Sequence, residues 1–377
     1  MKIIIEVSPQ IEGKRGIGNY IENLIKHLAK IDRENEYVIL TWFFRDYSNK
    51  INLLSIPSAP NFSFKAIRFP DSILSKLEWS LNIPVVDFLI KDLKPDIYHS
   101  PGPRLPKLHS AKKIITVHDT IFEIYPQWCS TKYINANCKA IKTADKIIVD
   151  SENTKNDLIK FYNLPEDKIT VIYLGVDAEI FHVVKNKETL GEIQRKYCLP
   201  DKFILSVGPF EPRRNTQGLL RAYKKAKEKL SEFKIILVGR KTLEISKEIA
   251  NLGLTDDVIF TGHVEQSELV CLYNLASVFV HPSFYEGFGL QILEAMACGC
   301  PVITSNVSSL HEIAGSSAMI VDPGSIEKIA AAMVSAIHDK NMKAKLVQSG
   351  FEQISRFSWE KTAHKTLETY KMLLGNL

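Results

Sequence analysis

The stretch PSFYEGFGLQILEAMACGCPVITS, Pro282 to Ser305, follows the β-branched run SVFVH at 277–281 and reads as strand, glycine-broken loop, helix, turn and strand. Pro282 bounds the first strand because it cannot donate to a ladder. Gly287 and Gly289 carry no Cβ, so the backbone around them can bring N–H groups close to a ligand. Ile292, Leu293, Met296 and Ala297 share one helical face, and Gly299 ends the helix. The N-terminus of that helix, at Phe288 to Leu290, offers open N–H groups and the positive end of a dipole, which suits a phosphate. Seven residues separate Glu286 from Glu294. One carboxylate before the helix and one inside it match a sugar nucleotide, whose hydroxyls lie on both sides of its diphosphate.

The same alternation runs along the whole chain. Strands are expected at 2–7, 37–42, 96–100, 113–117, 146–150 and 168–172, then at 203–208, 234–239, 257–262, 277–281, 301–305 and 318–322. Helical patterns fill most gaps, as at 18–29 and 216–229. Such alternation predicts an α/β protein with parallel sheets and helices on both faces. A length of 377 residues exceeds one ordinary core, and two sets of six strands predict two Rossmann-like, doubly wound domains, 1–180 and 186–356. Ligands would bind at the carboxyl ends of the strands, facing a central cleft. The tail FSWEKTAHKTLETYKMLL at 357–374 is a helix pattern with Ser358 as N-cap.

Composition narrows the class. With 45% hydrophobic and 24% charged residues the chain is globular, and a net charge of +5 is no nucleic-acid stripe. It is compatible with an anionic substrate, an anionic membrane face or an ordinary surface. The six cysteines form no C-x-x-C pair and read as reduced residues of a cytoplasmic protein. MKIIIEV enters a strand with no signal peptide, and no apolar run reaches transmembrane length. The cytoplasm is expected, with the inner face of a membrane as an extension. Segment 71–94, with Leu74, Leu77, Trp79, Leu81, Val85, Phe88 and Leu89, is read first as core helices broken by Pro84 and second as an exposed amphipathic surface for a lipid acceptor.

Four other loops carry chemistry. VGPFEPRRN at 207–215 sets Arg213 and Arg214 at a strand end, where two guanidinium groups suit a diphosphate; adjacent arginines are elsewhere an ordinary solvated pair. No two aspartates are separated by one residue, so no D-x-D motif holds a metal on a diphosphate. Charge developing on a leaving nucleoside diphosphate would then fall to the arginines and to main-chain N–H groups. EGKRGIGNY at 12–20 places Gly16 and Gly18 in a turn between strand and helix, and it is not the G-x-G-x-x-G of a nicotinamide fold. TVHDTIFEIYP at 116–126 sets His118 and Asp119 at a strand end, with Asp119 holding the loop or the histidine. HVEQSEL at 263–269 and SSLHEIAG at 308–315 are further strand-to-helix loops, the latter without a role. His99 is structural or on the acceptor side, and Ser151 a helix cap.

EGFGLQILEAMACGCPV resembles the E-G-F-G-x-x-x-x-E-A-M-A-x-G-x-P-V signature of the retaining glycosyltransferases of family 4, and the likeness runs from GIGNY to the Trp359 helix. The resemblance implies a GT-B fold whose C-terminal helix, 357–377, packs back on the first domain. It implies transfer of a hexose from a nucleotide diphosphate sugar to a glycan or lipid-linked acceptor, without metal or other cofactor. Glu294 would hold the ribose and Glu286, with the N–H groups of Phe288 and Gly289, the sugar. Arg213 and Arg214 would neutralise the diphosphate, and His118 would orient the sugar ring near its C6 hydroxyl. Gly16 and Gly18 would close over the phosphate, while the backbone at Val264 would meet the base. The EPRRN loop is similar to the E-P-R-K-N of members using GDP-mannose, with Arg214 in place of lysine; Gln291 stands where proline is common. A UDP-sugar donor, a sugar-nucleotide epimerase or hydrolase, and a non-catalytic binding subunit are the alternatives.

Overall fold

The computed structural model describes residues 1–8, 15–42, 56–70, 73–74, 76–81 and 83–375, with the side chains of 15, 79 and 80 left aside. The chain divides into two units, Met1–Gly175 with Trp359–Leu377, and Val176–Ser358.

In the first unit, strands β1 (Lys2–Glu6), β2 (Glu36–Trp42), β3 (Phe62–Ile67), β4 (Ile97–Ser100), β5 (Lys112–Val117), β6 (Lys146–Val149) and β7 (Ile169–Val171) form one sheet in the order β3-β2-β1-β4-β5-β6-β7. All its pairings are parallel. Ile3, Ile4 and Ile5 are fully buried although they alternate faces, as a central strand covered on both sides requires. The sequence reading passes over β3, although FSFKAI alternates apolar and polar residues as a half-exposed edge strand does. Tyr20, Ile21, Leu24, Ile25 and Leu28 give the Arg15–Ile31 helix an apolar stripe, and this helix packs against the Trp359–Leu373 helix. Segment 71–94 lies partly outside the described residues. Val86 and Ile90 enter the core, whereas Leu81 and Ile83 are exposed and Phe88 is 78% exposed. Buried Glu78 ties this segment down, its Oε1 accepting from Val86 N at 2.7 Å and its Oε2 from Lys107 N at 3.0 Å.

In the second unit, β8 (Phe203–Val207), β9 (Lys234–Val238), β10 (Val258–Gly262), β11 (Val278–His281), β12 (Val302–Ser305) and β13 (Met319–Val321) run in the order β10-β9-β8-β11-β12-β13, again in parallel. The Thr216–Ala226 and Ile326–His338 helices close one face with Leu219, Leu220, Tyr223, Ile329 and Met333. In each sheet the winding reverses once. The reversal lies between β1 and β4 in the first unit and between β8 and β11 in the second. Loops leaving neighbouring strands in opposite directions open a crevice there, the place where doubly wound sheets hold ligands.

Candidate functional site

Two of the expected loops leave β8 and β11 at the second reversal. After β8 the chain makes a 3₁₀ turn, Pro212–Arg214, and Asn215 takes a left-handed conformation (φ 53°) before the next helix. Asn215 Nδ2 donates to Pro282 O at 3.1 Å and to Pro323 O at 2.7 Å. Phe284 N donates to Arg213 O at 2.7 Å, so the arginine turn is bolted to the loop that follows β11. Gly218 leaves room for this latch, since a Cβ there would sit 2.3 Å from Asn215 Oδ1.

Arg213, Arg214 and Glu286 then meet directly. Arg213 Nη1 donates to Glu286 Oε2 at 2.7 Å, and Arg214 Nη1 lies 2.9 Å from Glu286 Oε1. The carboxylate side chain is only 7% exposed. Burial alone would raise its pKa, but Arg214 and Arg213 outweigh it and hold the carboxyl well below the usual range. The hydrogens of Arg214 Nη1 are directed elsewhere, to His281 Nε2 at 3.0 Å and Gln291 Oε1 at 3.0 Å. Its approach to Oε1 is therefore Coulombic, and both Glu286 Oε1 and Arg214 Nε are buried without an aligned hydrogen-bond partner. Burial, reinforced by the two guanidinium charges, lowers the His281 pKa, so its neutral ring accepts from Arg214. Arg213 Nε also donates at 2.8 Å to Glu211, which is half exposed and screened by water. Inside the fold, two guanidinium groups share one carboxylate.

The loop from Glu286 to the Leu290–Ala297 helix is fixed by two serines that sequence reasoning missed. Glu286 N donates to Ser308 Oγ at 3.1 Å, and Ser309 Oγ donates to Glu286 O at 2.8 Å and to Phe288 O at 3.1 Å. Gly287 and Phe288 are buried, and Gly289 caps the helix at φ 100°. A Cβ at Gly289 would lie 2.8 Å from Leu310 Cδ2, so both conformation and space demand glycine. Leu290 opens the helix, and its second residue, Gln291, faces Arg214. Glu294 lies one turn further on, where Tyr273 Oη donates to its Oε2 at 3.1 Å. Burial pushes the Glu294 carboxyl up to about 7, against the opposing pull of Tyr273 and Arg214. Val264 is buried in the loop after β10.

In the first unit His118 follows β5. Its Nδ1 donates to Asp150 Oδ2 at 2.7 Å, and Tyr20 packs edge-on to the imidazole with ring centres 5.0 Å apart. Burial pulls the His118 pKa down, but the Asp150 carboxylate more than offsets it, and the net shift is upward. Asp119 Oδ1 accepts from Ile121 N at 3.2 Å and shapes the loop, and its charge adds to the upward pull on His118. His99 is fully buried in a chain of bonds, Nδ1 to Tyr370 Oη at 2.7 Å and Nε2 to Thr116 Oγ1 at 2.8 Å, which ties the last helix to the sheet. Its desolvated ring is held neutral, its pKa lowered to about 3. Gly16 and Gly18 do not form a turn ahead of a helix: the helix has already begun at Arg15, and both glycines lie in its first turn. Residues 12–14 of that motif lie outside the described residues. Ser151 caps the Glu152–Tyr162 helix, accepting from Thr154 N at 3.1 Å.

Residues 192–353 match the family model described as Glycosyl transferases group 1, and residues 14–180 match that of Glycosyltransferase Family 4. The O-antigen chain mannosyltransferase B of Escherichia coli is 30% identical over 386 residues, spanning 99% of this chain and 100% of that protein. The serotype-specific mannosyltransferase WbdA of Escherichia coli is 33% identical over 237 residues, 61% of this chain and 29% of that one. Among solved structures, Anabaena Alr3699/HepE in complex with UDP and glucose has a TM-score of 0.76 at 17% identity, over 99% of this chain and 100% of that one, a likeness of fold.

Proposed function

The chain belongs to the group 1 and family 4 glycosyltransferases, and from that premise we propose that it moves mannose from GDP-mannose onto a hydroxyl of a polysaccharide or lipid-linked glycan, retaining the anomeric configuration and using no metal ion. Its parallel α/β sheets are those of the GT-B fold. The observation that carries the reading is the buried trio at the β8–β11 reversal: two guanidinium groups on one carboxylate, beside the N-terminus of the Leu290–Ala297 helix.

Arg213, Arg214 and the N–H groups at Phe288 to Leu290 would meet the diphosphate and take up the charge that grows on it as the glycosidic bond breaks. Glu286, kept ionised by its neighbours, would hold a sugar hydroxyl. Glu294 would take the ribose and the backbone at Val264 the base. His118, held by Asp150, would orient the sugar ring, with Gly16 and Gly18 near the phosphate. The departing phosphate oxygen accepts the proton of the attacking hydroxyl on the face it leaves, so the new bond forms on that same face. The mannosyltransferases among the relatives favour mannose. A UDP-sugar donor is the alternative, and the two are separated by the assay.

Purified protein given a lipid-linked glycan acceptor in excess EDTA should transfer sugar from GDP-mannose and not from UDP-glucose. The product anomer read by NMR should be that of the donor. Sugar released or epimerised without acceptor, or no transfer to any acceptor, would overturn the reading. Activity killed by EDTA and restored by manganese or magnesium would remove its metal-free part.

No helix among the described residues is long and apolar enough to cross a membrane. Docking on an anionic membrane face is proposed instead for the exposed Leu81, Ile83 and Phe88, on a chain of net charge +5. Phe88→Asp should sharply reduce co-sedimentation with vesicles containing anionic phospholipid. Equal sedimentation of both proteins would discard this surface.

A further inference from the structure

Gln291 makes two directed contacts, both on the phosphate side of the site. Its Oε1 accepts from Arg214 Nη1 at 3.0 Å, and its Nε2 donates to Gly208 O at 3.2 Å. These partners fix the amide's orientation, because the flipped amide would set NH₂ against a guanidinium and one carbonyl against another. The side chain thus joins three pieces of chain: the segment just after β8, the arginine turn, and the first turn of the Leu290–Ala297 helix. Gly208 is itself anchored, since its N donates to Val238 O at 2.8 Å.

We infer that Gln291 is a positioning residue that aims the Arg214 guanidinium for the second phosphate of the donor. The argument rests on how few partners Arg214 has. Its Nη1 hydrogens go to His281 and Gln291, its Nε has no aligned acceptor, and its side chain is 13% exposed. A guanidinium held by one hydrogen bond can still swing about it; with both hydrogens of Nη1 taken by acceptors from two different segments, its plane is set. Without Gln291 only neutral His281 and the unaligned pull of Glu286 would orient it. A side chain with no acceptor at position 291 would therefore leave a charged but poorly aimed arginine. A lysine at 214 would gain little from Gln291, because an ammonium has no plane to align.

The inference rests on the donor reading above, and the test separates the two. Gln291→Met keeps the length and helix propensity of the side chain while removing both polar contacts. It should weaken binding of GDP about tenfold by calorimetry and leave guanosine binding within about twofold. In an Arg214→Lys background the same change should cost less than about twofold. Full multiplicativity of the two substitutions, or equal losses for GDP and guanosine, would overturn the positioning role. Wild-type protein that binds neither GDP nor UDP would instead defeat the donor reading. Gln291→Leu serves as a second variant if Gln291→Met lowers the melting temperature by more than a few degrees.

Discussion

Glu286→Gln should lower turnover by about two to three orders of magnitude, the scale seen when one preorganised electrostatic contact is removed from a buried site. The amide has nearly the shape of the carboxylate but no charge, so Arg213 and Arg214 would be left in a desolvated position with their shared partner gone. Breaking a buried pair from one side costs about 3–5 kcal/mol. A fall in melting temperature should therefore accompany the lost activity. The two effects separate with pH. Because the folded carboxyl titrates well below its unfolded value, its contribution to stability is present above about pH 4–5 and disappears as pH falls through the folded value. Thermal melts of wild type and Glu286→Gln should thus differ most near neutrality and converge in acid. A variant that melts like wild type at pH 7 and keeps its turnover would remove the trio from the centre of the mechanism.

The trio also shows how much of the site can be read from the chain. EGFG followed by an apolar helical face is a local pattern, and the structure places the glycine cap and the helix where that pattern puts them, at Gly289 and Leu290–Ala297. The alternation of strand and helix gives two parallel sheets for the same reason: most buried strands are short apolar runs rich in β-branched residues, as in KIIIE and KIIV. What stayed hidden depends on contacts distant in sequence. Ser308 and Ser309 reach back more than twenty residues to hold the Glu286 loop, and nothing in SSLHEIAG marks them beyond small hydroxyl side chains ahead of a short helix. His281 looked like the end of a strand, yet it is an acceptor for Arg214 across 67 positions. Asp150 closes the strand expected at 146–150 and carries no sign there of a partner, yet its carboxylate holds His118 across 32 positions, while Asp119 shapes the loop. The strand β3 and the early start of the Arg15 helix were missed as well. FSFKAI is held by its pairing with β2, and the two glycines of RGIGNY lower the helix propensity of a turn that nevertheless continues the helix packed on the last one.

Glu294 should give the clearest trade between folding and binding. Its carboxyl titrates at about 7 where an ordinary glutamate titrates near 4.5. At about 1.4 kcal/mol for each pH unit of displacement, keeping it ionised above neutrality costs the fold on the order of 3 kcal/mol. The sign follows from proton uptake: between the two values the folded state holds a proton that the unfolded state has lost, so stability declines as pH rises from 4.5 through 7. Glu294→Gln removes that penalty while Tyr273 keeps an oxygen to donate to. The variant should therefore melt higher than wild type at pH 8 and much like it at pH 4. Binding should move the other way. Ribose hydroxyls donate best to an ionised carboxylate, so wild-type affinity for the nucleoside diphosphate should rise between pH 6 and pH 8. In Glu294→Gln it should be weaker by about tenfold at pH 8 and nearly flat with pH. Calorimetric titrations at these two pH values, run beside thermal melts, decide the matter. If wild-type affinity does not rise with pH, or if the glutamine variant is less stable than wild type at pH 8, then Glu294 is not a carboxylate kept buried at a cost to the fold for the sake of the donor.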